Sequence, residues 1–489
     1  MSGSTRTLLL LLLAVALIPR SPASASPLED STLGATVFTG PTQPHASSIH
    51  INPAALGLAT QGWHLFLGGS LRIDQVTIDR QLVDPQTGDQ TPGPTSSSVT
   101  PTPGGMLAAY WKGRNVAFGL ASFVPRSEQF ISGQDPLRYH TLGGHFYQWT
   151  VADLATAFHW NRFWFSVALG VGNLESLRIQ LARDTALENG TAGLESDCNG
   201  MPCGVENPAA TQLYDIEVAT SGVRPFGVTD LLLSIFSSEN ISLTVGILYQ
   251  PAERWYIGLG YQGSPGLFGG TRRLAGTVDV TDAARDGGAR RQGDAVVEYD
   301  LPDTINLGVR GPMPRLPGYE LVAAARWQSL FVHDGFDVRM FGRDLGPGVP
   351  EQYPLYRGMR HGFRLQLGLE QSANRDLRVG GRLLLERGAV SARDLSPLTV
   401  ASGRVGVATG IEWRLGNAVV LGGGYGVSWY PATEADPSAF DPRERVACVD
   451  AGFDLTQCQA VRDGRARPTA AGTYARLEHA LTASIRWDL

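Results

Sequence analysis

From about residue 62 to the C-terminus, apolar and polar side chains alternate in long runs, and the connections between runs are alternately short and long. Few folds satisfy both rhythms. In Arg360–Gln371, Phe363, Leu365, Leu367 and Leu369 share one face and Arg364, Gln366, Gly368 and Glu370 the other. In Asp376–Arg387, Leu377, Val379, Leu383 and Leu385 oppose Arg378, Gly380, Arg382 and Glu386. In Ser402–Leu415, Val405, Val407, Ile411 and Trp413 oppose Arg404, Gly406, Gly410, Glu412 and Arg414. A period of two puts each pair of sets on opposite faces of a strand. Fourteen runs read as strands, beginning near Gly62, Gly105, Asn115, His145, Arg162, Ser238, Arg254, Asp294, Gly318, Tyr356, Asn374, Thr399, Asn417 and Gly472. Short connections include Lys112-Gly113-Arg114, Pro251-Ala252-Glu253 and Gly416-Asn417. Long ones run through Gln81–Pro103, Pro125–Gly144, Arg183–Phe236, Gln262–Gly293, Phe331–Leu355, Ala389–Leu398 and Pro431–Ala471. A soluble sandwich has no reason to sort its loops this way. A transmembrane barrel does, with a lumen face of Gly, Arg and Glu. The fold class expected is all-β: a 14-stranded antiparallel transmembrane β-barrel, with both termini on the short-turn side.

Tryptophan placement agrees. Trp63, Trp111, Trp160, Trp164, Trp255, Trp413 and Trp487 lie near short turns or the matching strand ends, and Trp149, Trp327 and Trp429 near the long loops. Two such girdles suit rings that prefer the headgroup level. The last run alternates Leu481, Ala483, Ile485, Trp487 and Leu489 with Thr482, Ser484, Arg486 and Asp488, a terminal strand of the kind that barrel assembly machinery reads, although it ends on Leu rather than an aromatic residue.

Ahead of the strands, Arg6, the apolar run Leu8–Ile18 and Ala23-Ser24-Ala25 read as a secretory signal peptide over 1–25, with the mature chain starting at Ser26. After it no apolar run approaches the roughly 18 residues a membrane helix needs. Charged residues are only 18% and the net charge is −6, which leaves no nucleic-acid footprint. The four cysteines fall into local pairs, Cys198 with Cys203 and Cys448 with Cys458. Three connectivities are possible, the local one is favoured, and an oxidising compartment suits it. Neither pair has a histidine near it, so no zinc or other metal site is expected, and no cofactor.

No enzyme constellation stands out, and none is expected. His479 falls on an apolar face, but no serine is assignable beside it. Inward arginines, Arg326, Arg364 and Arg382 among them, could hold a substrate carboxylate. Equally they could form ladders within a wetted interior, such as Arg364 with Glu370 and Arg382 with Glu386.

One compact stretch is not a strand: Ser47-Ser48-Ile49-His50-Ile51-Asn52-Pro53-Ala54-Ala55-Leu56. Asn52-Pro53 marks a turn, because proline bars the residue before it from the helical region. Asn52-Pro53-Ala54-Ala55-Leu56, just ahead of the first strand, resembles the N-terminal hatch of the FadL-like outer-membrane transporters of long-chain fatty acids and aromatic hydrocarbons. Phe118-Gly119-Leu120 through Phe123-Val124-Pro125 resembles that family's strand-then-proline pattern. Gly246–Pro251 followed by Tyr256–Tyr261 resembles its sixth and seventh strands, and Leu301–Gly308 the start of its eighth. The resemblance implies a bacterial outer-membrane channel, surrounded by lipopolysaccharide, for passive uptake of fatty acids or other hydrophobic small molecules. Long loops would capture the substrate, a hatch over 26–61 gated at Asn52, Pro53 and Ala54 would plug a barrel over 62–489, and exit would be lateral near Phe123, Val124 and Pro125. A general porin for hydrophilic solutes and a structural or adhesive surface barrel are the alternatives.

Overall fold

The computed structural model describes residues 37–489 except 84–89, 131–136, 185–210, 221–235, 267–268, 283–287, 315, 347–348, 401–402 and scattered positions between 442 and 456. The signal peptide expected at 1–25, residues 26–36 of the expected hatch, and Cys198 and Cys203 lie outside the described residues.

Nineteen strands are found among the described residues. They are β1 (Gly62–Val83), β2 (Gln90–Lys112), β3 (Val116–Phe130), β4 (Gly143–Trp160), β5 (Phe163–Asp184), β6 (Thr211–Ala219) and β7 (Ser242–Ala252). Then follow β8 (Trp255–Gln262), β9 (Arg272–Asp282), β10 (Arg290–Tyr299), β11 (Thr304–Pro312), β12 (Tyr319–Gln328) and β13 (Gly335–Phe341). The last are β14 (Gln352–Tyr356), β15 (Gly362–Ser372), β16 (Leu377–Arg387), β17 (Arg404–Leu415), β18 (Val419–Ala435) and β19 (Gly472–Asp488). Fourteen close into a barrel in the order β1-β2-β3-β4-β5-β7-β8-β11-β12-β15-β16-β17-β18-β19, and β19 pairs back onto β1 over Gly472–Asp488, every pair antiparallel. Closure joins every wall strand to a neighbour on both sides, as hydrocarbon demands of a spanning sheet.

The other five strands fold from the long connections. The outer part of β5 leaves β7 and pairs with β6, and the sheet continues through β9, β10, β13 and β14. The sequence reading treated these stretches as loops. It also drew one strand from Asp294, whereas β10 ends at Tyr299 and the wall strand β11 begins at Thr304. Pro302 separates them: it has no N–H for the ladder and restricts Leu301. Gln81–Pro103, read as a loop, is mostly strand. Its prolines misled because β2 pairs with β1 throughout but with β3 only from Met106 to Lys112. Over 90–105 β2 pairs with β1 alone among the described residues, and a missing N–H costs nothing in ladder bonds when it faces a free edge.

β1 and β5 invert their polarity partway along. On β1, Leu65, Leu67 and Leu71 point outward and exposed, while Arg72 and Asp74 are buried inside. Further out on the same inward face stand Val76 and Ile78, fully buried, with Gln75 and Asp79 now outside. On β5, Phe165, Val167 and Leu169 are exposed; past Gly172 (φ +68°) Leu177, Ile179 and Leu181 are buried. The short-turn half therefore presents an apolar outer surface suited to hydrocarbon, with exposed Trp63, Trp160 and Trp413 near one rim and Trp149 and Trp429 near the other. Trp164 departs from the expected girdle: it is turned inward against Gly57 and beneath the Lys112 ammonium.

The long-loop half has the opposite character, with an apolar interior. Its core joins Ile78 of β1, Phe146 of β4, Ile179 of β5, Val278 of β9, Phe336 of β13 and Tyr474 of β19, so it spans the ring from side to side. Into it sinks Arg357, entirely buried, donating to both carboxylate oxygens of Glu128 on β3 at 2.7 and 2.9 Å and to His333 Nε2 at 2.8 Å. His333 Nδ1 meets the Asp300 carbonyl at 2.7 Å. His333 is thus held as a neutral ring, its pKa well below the ordinary value because of burial and then the Arg357 charge. His140, in the β3–β4 connection, is pushed down to about 3 by burial and by Arg467. A histidine depressed in the folded state contributes stability that is complete above about pH 6.5 and is lost as pH falls toward the folded pKa, up to about 1.4 kcal/mol per unit for each ring. The outer core is expected to loosen between pH 6.5 and 3 while the wall persists. Hydrogen exchange of 330–358, corrected for intrinsic rates, checks this; equal protection at pH 7 and pH 4.5 would contradict it.

Cys448 and Cys458 form the expected local bridge. It closes a loop with a sequence separation of only 10, so it restrains the unfolded chain by about 2–3 kcal/mol at most. Reduction is expected to leave the barrel folded, and heat-modifiable gel mobility with and without reductant measures it.

Candidate functional site

The interior of the short-turn half is occupied by chain. Residues 37–60 run within the ring, with helix α1 (Ser48–Ile51) and a tighter turn over Pro53–Leu58. Ile49, Ile51, Ala54, Ala55 and Leu56 are completely or almost completely buried. Ile49 and Leu56 meet Phe66, Tyr110 and Phe123 in one cluster, and Val37 with Phe38 meets Ala408 across the ring.

Asn52, Pro53 and Ala54 stand where the sequence reading put emphasis. Asn52 Nδ2 donates to the Pro41 carbonyl at 2.7 Å and to the Ile247 carbonyl of β7 at 3.3 Å, while its Oδ1 accepts from the Ala54 N–H at 3.3 Å. One side chain therefore folds the segment back on itself, caps the next turn and fastens both to the wall. The wall makes room with glycine. A Cβ added at Gly246 would lie 2.0 Å from Asn52 Oδ1, at Gly258 2.3 Å from the Pro41 carbonyl oxygen, and at Gly260 2.2 Å from the Ile51 carbonyl oxygen. The two glycine-bearing strands that resembled family motifs are thus the socket of Asn52.

A second anchor lies opposite. Gln43 Nε2 donates to both Glu370 carboxylate oxygens at 2.9 and 3.0 Å, and Gln43 Oε1 accepts from Arg378 at 3.2 Å. Gln43 went unremarked in the sequence because a lone Gln beside prolines carries no pattern.

Between this segment and the outer core runs a belt of charge. Arg72 pairs with Asp74 at 3.0 Å, Asp74 with Arg476 at 2.6 Å, Arg404 with Glu478 at 2.6 Å and with Glu386 at 2.9 Å, and Glu386 with Arg364 at 2.9 Å. Arg326 extends the belt: its Nε donates to Asn306 Oδ1 at 2.7 Å, and it lies opposite Arg364 in register. The expected ladders are corrected here. Arg364 pairs with Glu386, not Glu370, and Arg382 with Glu370, not Glu386. Residues four and six apart on one strand are roughly 13 and 20 Å apart, whereas cross-strand partners touch. Arg326 and Arg364 share a small cavity with Pro41 and Ile51; Arg382 is committed to Glu370 at 3.2 Å.

Phe123, Val124 and Pro125 mark a discontinuity in the wall. The β2–β3 ladder ends at Met106–Phe123, and the β3–β4 register shifts on both sides of Phe123, resuming at Arg126–Gln148. Beyond it β3 leans inward: Arg126 donates to the Pro302 carbonyl at 2.7 Å, and the Ser127 carbonyl accepts from Arg72 at 3.0 Å. On the outer surface, His479 meets the Tyr425 hydroxyl at 2.8 Å.

No protein-family model matches the chain, and no curated protein sequence does. Solved structures do match in fold. A FadL homologue of Pseudomonas aeruginosa superposes with a TM-score of 0.67 at 14% identity, covering 95% of this chain and 99% of its own. The Pseudomonas putida toluene transporter TodX gives 0.60 at 12% identity, covering 96% and 98%. The Ralstonia pickettii toluene transporter TbuX gives 0.53 at 14% identity, covering 91% and 94%. The fold is FadL-like, as the motifs around Asn52 and Phe123 suggested.

Proposed function

We propose that a chain of this fold acts as a bacterial outer-membrane channel for passive uptake of hydrophobic small molecules, with residues 26–61 as its hatch. The observation that carries the reading is the joint arrangement of an occupied lumen and a wall whose strand pairing lapses at Phe123–Pro125. A porin keeps a continuous aqueous path, and here both halves of the interior are filled. Substrate would enter among the apolar side chains of the long-loop half, pass the charge belt, and leave sideways at the lapse, where a hydrophobic molecule reaches hydrocarbon without crossing water. The solved proteins of like fold include toluene transporters, which supports hydrocarbons as substrates alongside fatty acids. A fatty-acid carboxylate would be received at Arg326 and Arg364, which line the small cavity beside Pro41 and Ile51. The experiment is uptake of radiolabelled palmitate and toluene by an outer-membrane-intact host with and without the chain, beside swelling of liposomes in sugars. Uptake without swelling is expected; ready sugar permeation would overturn the reading in favour of a porin.

A further inference from the structure

We infer that His50 and Asp153 form a subsite for the hydroxyl group of a hydrophobic molecule, at the point where it would leave the lumen. The inference rests on the uptake reading above and adds a substrate class to it: alcohols, phenols and protonated carboxylic acids, favoured over bare hydrocarbons of the same shape.

Three observations meet at one place. Asp153 is on β4, in register with Ala121 of β3 and Gly170 of β5, and its side chain is only 3% exposed. Its Oδ1 is enclosed and accepts no hydrogen bond among the described residues. Its Oδ2 lies 3.7 Å from His50 Nδ1, an ion contact too long for a hydrogen bond. Enclosed carboxylate oxygens ordinarily find donors, because leaving one bare costs its hydration. Second, His50 keeps 23% of its side chain exposed, while Ile49 and Ile51 on either side keep 0% and 1%. On a segment enclosed by the ring, that exposure is open space beside the imidazole. The backbone holds it there, since the His50 carbonyl accepts from Gln262 Nε2 at 2.6 Å. Third, the His50 ring packs on Phe123 with centroids 4.8 Å apart, and Phe123 is the last residue of β3 paired to β2. The polar pair therefore has an apolar rim and stands at the lapse in the wall.

The chemistry of the pair selects its ligand. A carboxylate only accepts, so the bare Oδ1 asks for a donor. A hydrocarbon has none, and an ionised fatty acid would be repelled by the like charge. A hydroxyl oxygen beside the pair can accept from His50 Nδ1–H while its own proton goes to the Asp153 carboxylate. The 3.7 Å separation, too wide for direct bonding, is closed by that bridge.

The probes are p-cresol and p-xylene, of nearly equal size, one bearing a hydroxyl where the other bears a methyl. Initial uptake of each is measured in cells carrying the full-length chain, Asp153→Leu or His50→Phe, with heat-modifiable mobility confirming assembly. The native chain is expected to favour p-cresol, and Asp153→Leu to lower the cresol-to-xylene ratio about tenfold, the size of one hydrogen bond to a charged group. His50→Phe approaches the same subsite from the inner segment and decides the matter should Asp153→Leu fail to assemble. A ratio unchanged by the variant would overturn the subsite, as would a native chain that carries xylene without preferring cresol; in the second case the pair holds only a bridging water and the uptake reading survives. Uptake of neither probe above the channel-free host would overturn both.

Discussion

Deleting residues 26–60 is expected to leave a barrel that assembles yet conducts little more than the intact one, until the outer core is breached as well. The wall closes through its own strand ladders, and among the described residues the inner segment adds no strand to it. Its fastenings are side-chain bonds such as Asn52 to the Ile247 carbonyl and Gln43 to Glu370, so the wall loses no ladder bond when it goes. What still closes the lumen is the second filling, the apolar core from Ile78 to Phe336 across the long-loop half. Glu128→Ala attacks that filling. It leaves Arg357, entirely buried, without its carboxylate, and removing one partner of a buried pair costs about 3–5 kcal/mol. Combined with the deletion it is expected to give a stable conducting pore, many times the sum of the two single changes, in planar-bilayer recordings. Large conductance from the deletion alone would show that the outer core does not close the mouth. No conductance from the double variant would show that the inner segment is not a closure.

The Gly258→Val chain is expected to assemble with its inner segment displaced. The first side-chain carbon would sit 2.3 Å from the Pro41 carbonyl oxygen, the same oxygen that accepts from Asn52, and valine branches there. Backbone on both sides leaves no flexible end to yield, so the segment must lift. Asn52→Ala removes three hydrogen bonds and leaves the Ile247 and Pro41 carbonyls without that donor, a cost of about 1–3 kcal/mol for each bare group. The glycine change should therefore exceed the asparagine change, because a clash cannot be relieved by water. Limited proteolysis between residues 37 and 60 is the measurement, with heat-modifiable mobility reporting the wall. Protection equal to the intact chain in Gly258→Val would contradict the socket.

Much of the wall was legible in the sequence because a strand's two faces alternate without reference to anything distant. Leu365, Leu367 and Leu369 lie outward and Arg364 and Glu370 inward, as period two requires. The same reasoning failed where polarity inverts. Val76 and Ile78 continue the face that carries Arg72 and Asp74, so β1 contradicts itself unless the surroundings change from hydrocarbon to water partway along. Alternation did mark the outer strands: Tyr214, Ile216 and Val218 on β6, and Leu274, Val278 and Val280 on β9, are buried at every second residue or at multiples of it. They were set aside because they fell inside stretches already counted as loops. The prolines of β2 misled for a different reason, since a free edge cannot be seen from within one strand.

The candidate site divides the same way. Asn52-Pro53 was legible because proline's restriction on its neighbour is local, whereas Phe123–Pro125 stood out only through its resemblance to a family pattern. Which arginine meets which glutamate was not, since register decides it: Arg364 reaches Glu386 across the β15–β16 ladder. Nor was the contact of His50 with Asp153, which brings α1 against β4 across about a hundred residues of chain, nor Glu128 with Arg357, at a separation of 229. By itself the sequence determined the barrel, its handling of inside and outside, and the turn at Asn52, because these follow from backbone periodicity and local sterics. Only the tertiary structure decided what fills the lumen, because glycine sockets, ion partners and an orphaned carboxylate oxygen exist only once the ring has closed and brought distant side chains within a few ångströms.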